Sequence, residues 1–346
     1  MSKMSRRDFL RTVAAGIGAV TLSRFLAACS PSPAKPAATP LHPLATVTPT
    51  SPKEGSPSAT DMATDSLPQP TSTVASIPDM VVARNGEPEA LVRAALAALG
   101  GMELFVPKGA NVLVKPNICV AYHTYEYAAT TNPWVVGTLV KMCFEAGAAS
   151  VKVCDYPFGG SPQEAYAISG IQDQVEANGG EMVYMSGFKY VATQIPNGIE
   201  LKKTDVFSDV LDADVIIDVP VAKHHSAAIL TLGMKNLMGV VRDRSAFHRN
   251  LGQRIADLST LLKPKLTVVD AVRILMANGP TGGNLNDVKK LDTLIASADI
   301  VAADSYAATL FGKQPEEIPY IQAAAAMGLG RSDLNNLRIK EFSIGA

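Results

Sequence analysis

The chain has 346 residues, 47% hydrophobic and 18% charged, with a formal net charge of −1. That is apolar enough to bury a large core, and a chain without a basic block lacks the charge that nucleic-acid binding needs, so this class is excluded. The 4 cysteines have no CxxC spacing and fit neither a disulfide scaffold nor a cysteine-cluster iron–sulfur site.

Residues 5–11, Ser-Arg-Arg-Asp-Phe-Leu-Arg, resemble a twin-arginine export signal built on Arg6 and Arg7. A short apolar segment, Thr12–Leu26, follows and ends in Leu26-Ala27-Ala28-Cys29, which resembles a lipoprotein cleavage box with Cys29 as the lipidated residue. Residues 1–29 are therefore expected to be a signal. The expected partners are the twin-arginine export machinery and a membrane held through the lipid, with the mature chain on the cell surface or the periplasmic side. That route carries proteins already folded, which favours a bound cofactor. Residues 30–78 are rich in Pro, Ser, Thr and Ala, bury too little to offset ordering entropy, and read as a tether. No later apolar run has membrane-spanning length.

Residues 79–346 have the periodicity of a folded domain. Val81-Val82 suggests a strand. Glu87–Leu99 places Leu91, Val92, Ala95, Leu96 and Leu99 on one helical face, stopped by Gly100-Gly101. Asn111–Val114 is a buried strand ending in Lys115-Pro116-Asn117. Thr130-Thr131-Asn132-Pro133 starts a helix that runs to Ala146-Gly147, and Ser150–Cys154 is the next strand, ending at Asp155. This β-α-β unit calls for a parallel sheet with a right-handed crossover. One or two short helices are expected in 159–178. Between 181 and 201 come short strands about the turn Pro196-Asn197-Gly198, room for a small antiparallel excursion. Val215–Val221 is a central strand, 248–262 an amphipathic helix, and 266–269 a strand ending in Asp270. A glycine-rich loop spans 278–283. A strand at 291–296, helices at 298–310 and 315–326, and a strand at 337–342 complete the expected α/β fold, doubly wound around a mostly parallel sheet.

In open α/β sheets ligands sit beyond the carboxyl ends of the strands. Four such ends offer polar groups: Lys115 and Asn117, Asp155, then Lys223, His224 and His225, and Asp270. The helix start at Thr131 and Asn132 offers free backbone N–H groups for an anion. Lys235 lies among Leu232, Met234, Leu237 and Met238, where an unpaired ammonium is costly, so it should meet a carboxylate or a ligand anion. Adjacent histidines point to opposite sides of a strand, so one of His224 and His225 should be functional and the other structural. Asp155 and Asp270 are candidates for helix caps, and Asp304 for a buried structural acid. Cys119 and Cys154 read as buried thiols first, with pairing or soft-metal ligation as alternatives.

Val114-Lys115-Pro116-Asn117, Thr131-Asn132-Pro133, Lys223-His224-His225, Lys235-Asn236 with Gly239, Asp270 with Asn278-Gly279-Pro280, and Ala302-Ala303-Asp304 resemble the blocks of the family known as domain of unknown function 362. The resemblance covers about residues 80–342. It implies no particular reaction. Many relatives carry ferredoxin-type cysteine clusters, which this chain lacks. A more limited similarity links Thr131-Asn132-Pro133 and His225…Thr231…Lys235…Gly239 to the nickel-pincer lactate racemase family, although Asn132 stands where that family has a carboxylate-binding arginine.

The expected function is a metal- or cofactor-dependent enzyme acting on a small anionic, carboxylate-like substrate. Lys115, Asn117, Thr131, Asn132, Lys223 and Asn236 would bind it. His224 or His225, together with Lys235, would be catalytic, with His225 also the candidate ligand to a transition metal, nickel or iron. The alternative is a membrane-tethered protein that captures an anionic solute without chemistry.

Overall fold

The computed structural model describes residues 77–345. The expected signal, with Arg6, Arg7 and Cys29, and nearly all of the tether lie outside the described residues.

In chain order, β1 (Met80–Arg84) leads through α1 (Pro88–Ala98) to β2 (Asn111–Pro116), then through α2 (Pro133–Glu145) to β3 (Ser150–Val153). Two short helices, α3 (Pro162–Ile168) and α4 (Ile171–Ala177), precede β4 (Glu181–Met182). A hairpin of β5 (Tyr190–Gln194) and β6 (Lys203–Phe207) follows, and then α5 (Ser208–Leu211). The centre comprises β7 (Val215–Val219), β8 (Val221–His225), β9 (Ile229–Thr231) and the single turn α6 (Gly233–Asn236). After α7 (Leu251–Leu261) come the long strands β10 (Leu266–Leu275) and β11 (Val288–Ser297). Helices α8 (Ile300–Thr309) and α9 (Pro319–Ala326) and strand β12 (Ile339–Ser343) close the chain.

The main sheet runs β12-β1-β11-β10-β7-β2-β3-β4. Along that path every pairing is parallel except the two that β11 makes, with β1 and β10. The β5–β6 hairpin pairs antiparallel and apart from it, the excursion expected near Pro196. Alternation sorts the core: Val112 and Val114 pack under α1 and α2, while Leu113 faces the opposite layer with residues of α7 to α9. Helices thus cover both faces, and the chain is a doubly wound α/β protein. Among the described residues no helix is long and apolar enough to cross a membrane.

Two departures from the expected elements shape the site. Pro220, with no N–H to give, splits the central strand, and β8 continues along β10, first in the register of β7 with Val221 opposite Asp270 and then shifted, with Lys223 opposite Leu275. Lys223, His224 and His225 are therefore strand residues, paired to β9, and not the opening of a loop. For the same reason β10 does not stop near Asp270 but continues to Leu275, with a bulge between Ala271 and Arg273.

Candidate functional site: a cationic cavity at the strand ends

The carboxyl ends of β2 and β3 are locked by a buried ion pair. Lys115 is 1% exposed and donates to Asp155 Oδ1 at 2.7 Å, to Asn236 Oδ1 at 2.9 Å and to the Pro116 carbonyl at 2.8 Å. Asp155 Oδ2 accepts from the Ile118 N–H at 2.6 Å. All three ammonium donors are used, which is how a buried charge is tolerated. Gly239 closes over this pair: a Cβ there would collide with Asp155 Oδ1 and lie 2.7 Å from Lys115 Nζ. Asn236 continues the network, its amide nitrogen donating to Asp218 Oδ1 at 2.8 Å. Asp218 is fully buried with Oδ2 unpartnered, and burial pushes its carboxyl well above the usual range.

Above that floor is a cavity of about 350 Å³. Lys223 and His225, two residues apart on β8, both face it, as strand alternation requires. Lys223 donates to Asn117 Oδ1 at 2.8 Å and to the Ala129 carbonyl at 2.6 Å. Burial lowers its pKa. Lys235, carried by α6, is partly buried and lines the same wall. Its pKa falls to about 8, through burial first and then the charges of Lys223 and Arg244. Arg244 enters from the segment before α7, its guanidinium 5.4 Å from the Tyr156 ring and donating to the Tyr156 carbonyl at 3.0 Å. Among the described residues, none of Lys223, Lys235 and Arg244 forms an ion pair. Thr231 adds a hydroxyl that is 3% exposed and has no hydrogen-bond partner. A cavity with three unneutralised cations and an orphaned buried hydroxyl is suited to an anion with a polar oxygen nearby.

The two imidazoles have different fates. His224 points away from the cavity, and its Nδ1 accepts from the Gly279 N–H at 3.1 Å, pinning the glycine-rich loop. His225 Nδ1 accepts from the Ala227 and Ala228 N–H groups at 3.1 and 3.2 Å. Burial, then the Lys235 and Lys223 charges, lower its pKa to about 3, so the ring is neutral. With Nδ1 held as an acceptor, the proton sits on Nε2, and His225 meets the cavity as a hydrogen-bond donor. A metal ligand through Nε2 needs the opposite tautomer, with Nδ1–H donating. Among the described residues no three His, Cys, Asp or Glu side chains are placed to hold a metal ion. The donor set does not fit nickel or iron.

Three expected ligand groups prove to have internal partners. Lys115 serves Asp155 and stands behind the floor. Thr131 Oγ1 accepts from the Asn117 N–H and donates to the Val219 carbonyl, both at 2.8 Å. Asn132 caps α2, accepting from the Trp134 N–H at 3.0 Å, while its own N–H donates to Asp270 Oδ2 at 2.7 Å. The anion at that helix start is the protein's own Asp270, whose pKa burial raises to about 6. Asp304 caps α6 through the Gly233 and Met234 N–H groups at 2.6 and 2.9 Å, and burial raises its pKa to about 7. Asn117, Lys223, His225, Lys235 and Asn236 do meet at the cavity.

Sequence reasoning named Thr231 in the block around Lys235 but missed Arg244 and Asp218 as parts of the site. Asp218 was visible as the one acid inside an apolar strand run, where a carboxylate must find a partner. Arg244 gives no such signal, because it approaches along an irregular segment.

Fold and cavity define a doubly wound α/β protein with a cationic pocket at its strand ends. The chain belongs to the family described as domain of unknown function 362, whose profile matches residues 112–309, a span that contains the whole cavity lining. A thylakoid-associated protein of Synechocystis sp. is 28% identical over 250 residues, 69% of this chain and 75% of that protein. Among solved structures, the lactate racemase apoprotein from Thermoanaerobacterium thermosaccharolyticum aligns at 14% identity with a TM-score of 0.41, over 62% of this chain and 53% of that one. A protein from Thermotoga maritima aligns at 13% identity with a TM-score of 0.41, over 66% and 60%. This chain spans about half the length of the racemase structure.

Proposed function

We propose that this chain is an exported, lipid-anchored enzyme that acts on a small anionic, carboxylate-like substrate held in the cationic cavity. The observation that carries the proposal is Lys235, an ammonium partly buried in the cavity wall with no carboxylate partner among the described residues. Lys223 and Arg244 take the anionic group, the orphaned Thr231 hydroxyl takes a polar oxygen, and His225 Nε2–H supplies a neutral donor. With its pKa lowered to about 8, Lys235 is mainly ammonium near neutral pH but has a minor amine form, which lets it accept a proton from a bound substrate and return it. Its amphoteric state, not a metal, is the reactive element in this reading. The export route rests on Arg6 and Arg7 and the anchor on Cys29. That a relative is described as thylakoid-associated agrees with membrane surroundings.

The experiment is a calorimetric screen of the protein against two- to four-carbon carboxylates, repeated with Lys235→Met. Binding by the parent and loss of binding by the variant, at unchanged stability, is the expected result. A variant that loses stability and keeps its affinity would contradict the proposal. Capture without chemistry is the second reading. It is favoured by one observation: both imidazoles spend Nδ1 on backbone N–H groups and have no base to offer. Recovery of every bound carboxylate unchanged, with no exchange of its α-hydrogen with solvent, would decide for it.

A further inference from the structure

The cavity holds one more reactive group. Cys119 is 5% exposed and lines the cavity together with Lys223 and Pro280, with its S–H donating to the Pro280 carbonyl at 3.5 Å. The other two described cysteines, Cys143 and Cys154, are fully buried in the core, and burial raises both their pKa values to about 12. Cys119 differs in facing space and cations. Lys223, Lys235 and Arg244 line the same cavity as Cys119. A thiol beside ammonium groups, in a pocket reached from solvent, is the environment in which cysteine becomes a nucleophile. The cavity opens past His248, which is exposed, and Phe158, which is 54% exposed. The independent sign that a ligand belongs there is Thr231, whose buried hydroxyl lines the same space and has no partner.

We propose that Cys119 is a nucleophilic thiol that adds covalently to a carbonyl carbon of the anion bound in the cavity, so that the ligand class is a small aldehydo- or 2-oxo-carboxylate. The proposal rests on the anionic-ligand reading above and names the class of ligand. The carboxylate lies against Lys223 and Arg244, which sets the carbonyl within reach of the sulfur. The S–C bond forms as the carbonyl π bond breaks. The oxygen takes a proton from the Lys235 ammonium, and the thiol proton restores it. The product is a hemithioacetal or hemithioketal, the sum of thiol and carbonyl, and no oxidant or other reactant takes part.

The test compares two alkylating reagents of one size and opposite character on the full folded chain, iodoacetate (anionic) and iodoacetamide (neutral), with peptide mapping by mass spectrometry. In both, the sulfur displaces iodide. The expected result is labelling of Cys119 and not of Cys143 or Cys154, faster with iodoacetate by about tenfold, the low end of electrostatic focusing. Labelling of Cys119 by neither reagent would overturn the nucleophile and leave the cationic cavity standing. Labelling without preference for the anion would overturn the anionic-ligand reading itself, and this proposal with it. Glyoxylate should then protect Cys119 better than glycolate, which has the same charge and nearly the same size but no carbonyl. Equal protection would overturn the covalent step alone. Cys119→Ser should abolish the labelled peptide.

Discussion

Lys115 and Lys235 are chemically alike, and both stand in sequence within two residues of an asparagine and next to apolar residues, yet the fold gives them opposite tasks. Lys115 closes three hydrogen bonds inside the protein, one of them an ion pair with Asp155. Lys235 closes none among the described residues. Removing Lys115 by Lys115→Met leaves Asp155 buried and unpaired, and should cost about 3–5 kcal/mol in urea unfolding. Lys235→Met removes a cation that burial disfavours and should cost nothing or stabilise; a loss as large as that of Lys115→Met would contradict the division. The pH dependence follows the same logic. The Lys235 pKa falls from 10.5 to about 8 on folding, so the unfolded chain holds the proton more tightly, and this group's contribution makes the protein more stable as pH rises from about 8 to 10.5. Anion binding, which needs the ammonium, changes in the opposite direction and weakens as pH rises through about 8. The sequence showed that Lys235 needed a partner and offered Lys115 as an anion-binding group. It did not show which had one, because Asp155 lies across the β2–β3 pairing and not nearby in the chain.

At the scale of elements, short pieces of secondary structure are fixed by carboxylates that receive backbone N–H groups. Asp270 holds the start of α2, Asp304 the start of α6, and Asp257 of α7 ties down the turn after β5 by accepting from Ile199, Glu200 and Leu201 at 2.7, 2.8 and 2.7 Å. Burial pushes the Asp257 carboxyl up, but those N–H groups and Gln253 outweigh it and hold the carboxyl below its ordinary range. Its stabilisation is therefore present above the ordinary carboxylate pKa and lost as pH falls below it. Asp257→Ala should cost about 3 kcal/mol by orphaning those donors and should free the β5–β6 hairpin, read as faster amide exchange in 190–207. Unchanged protection there would show that packing alone holds the hairpin. Helices with strong apolar faces and a proline in the first turn, such as α1 and α2, were legible to within a residue or two. The length of β10 was not, because Asp270 interrupts its apolar pattern, and what makes that aspartate acceptable is the end of a helix 138 positions earlier.

For the whole molecule, a mildly acidic chain concentrates uncompensated positive charge in one cavity, which would draw small anions and repel cations of similar size. The doubly wound architecture explains why that cavity lies where β2, β3 and β8 end. This much was readable from the apolar runs and the polar residues that follow them. The closing of the cavity by Arg244 and Cys119 was not, since these come from segments without periodicity. The proposed membrane address is a separate matter, resting on the sequence of residues 1–29. Cys29→Ser should leave the domain folded and move the protein from the membrane fraction to the soluble fraction; retention in the membrane fraction would contradict the lipid anchor.

The central claim is that Lys235 is an ammonium awaiting an anion. Its ε-methylene resonance, followed by NMR across pH in the folded protein, measures that directly. The account predicts a titration midpoint near 8 that moves upward when glycolate is added. A midpoint at the ordinary lysine value of 10.5, unmoved by glycolate, would contradict it.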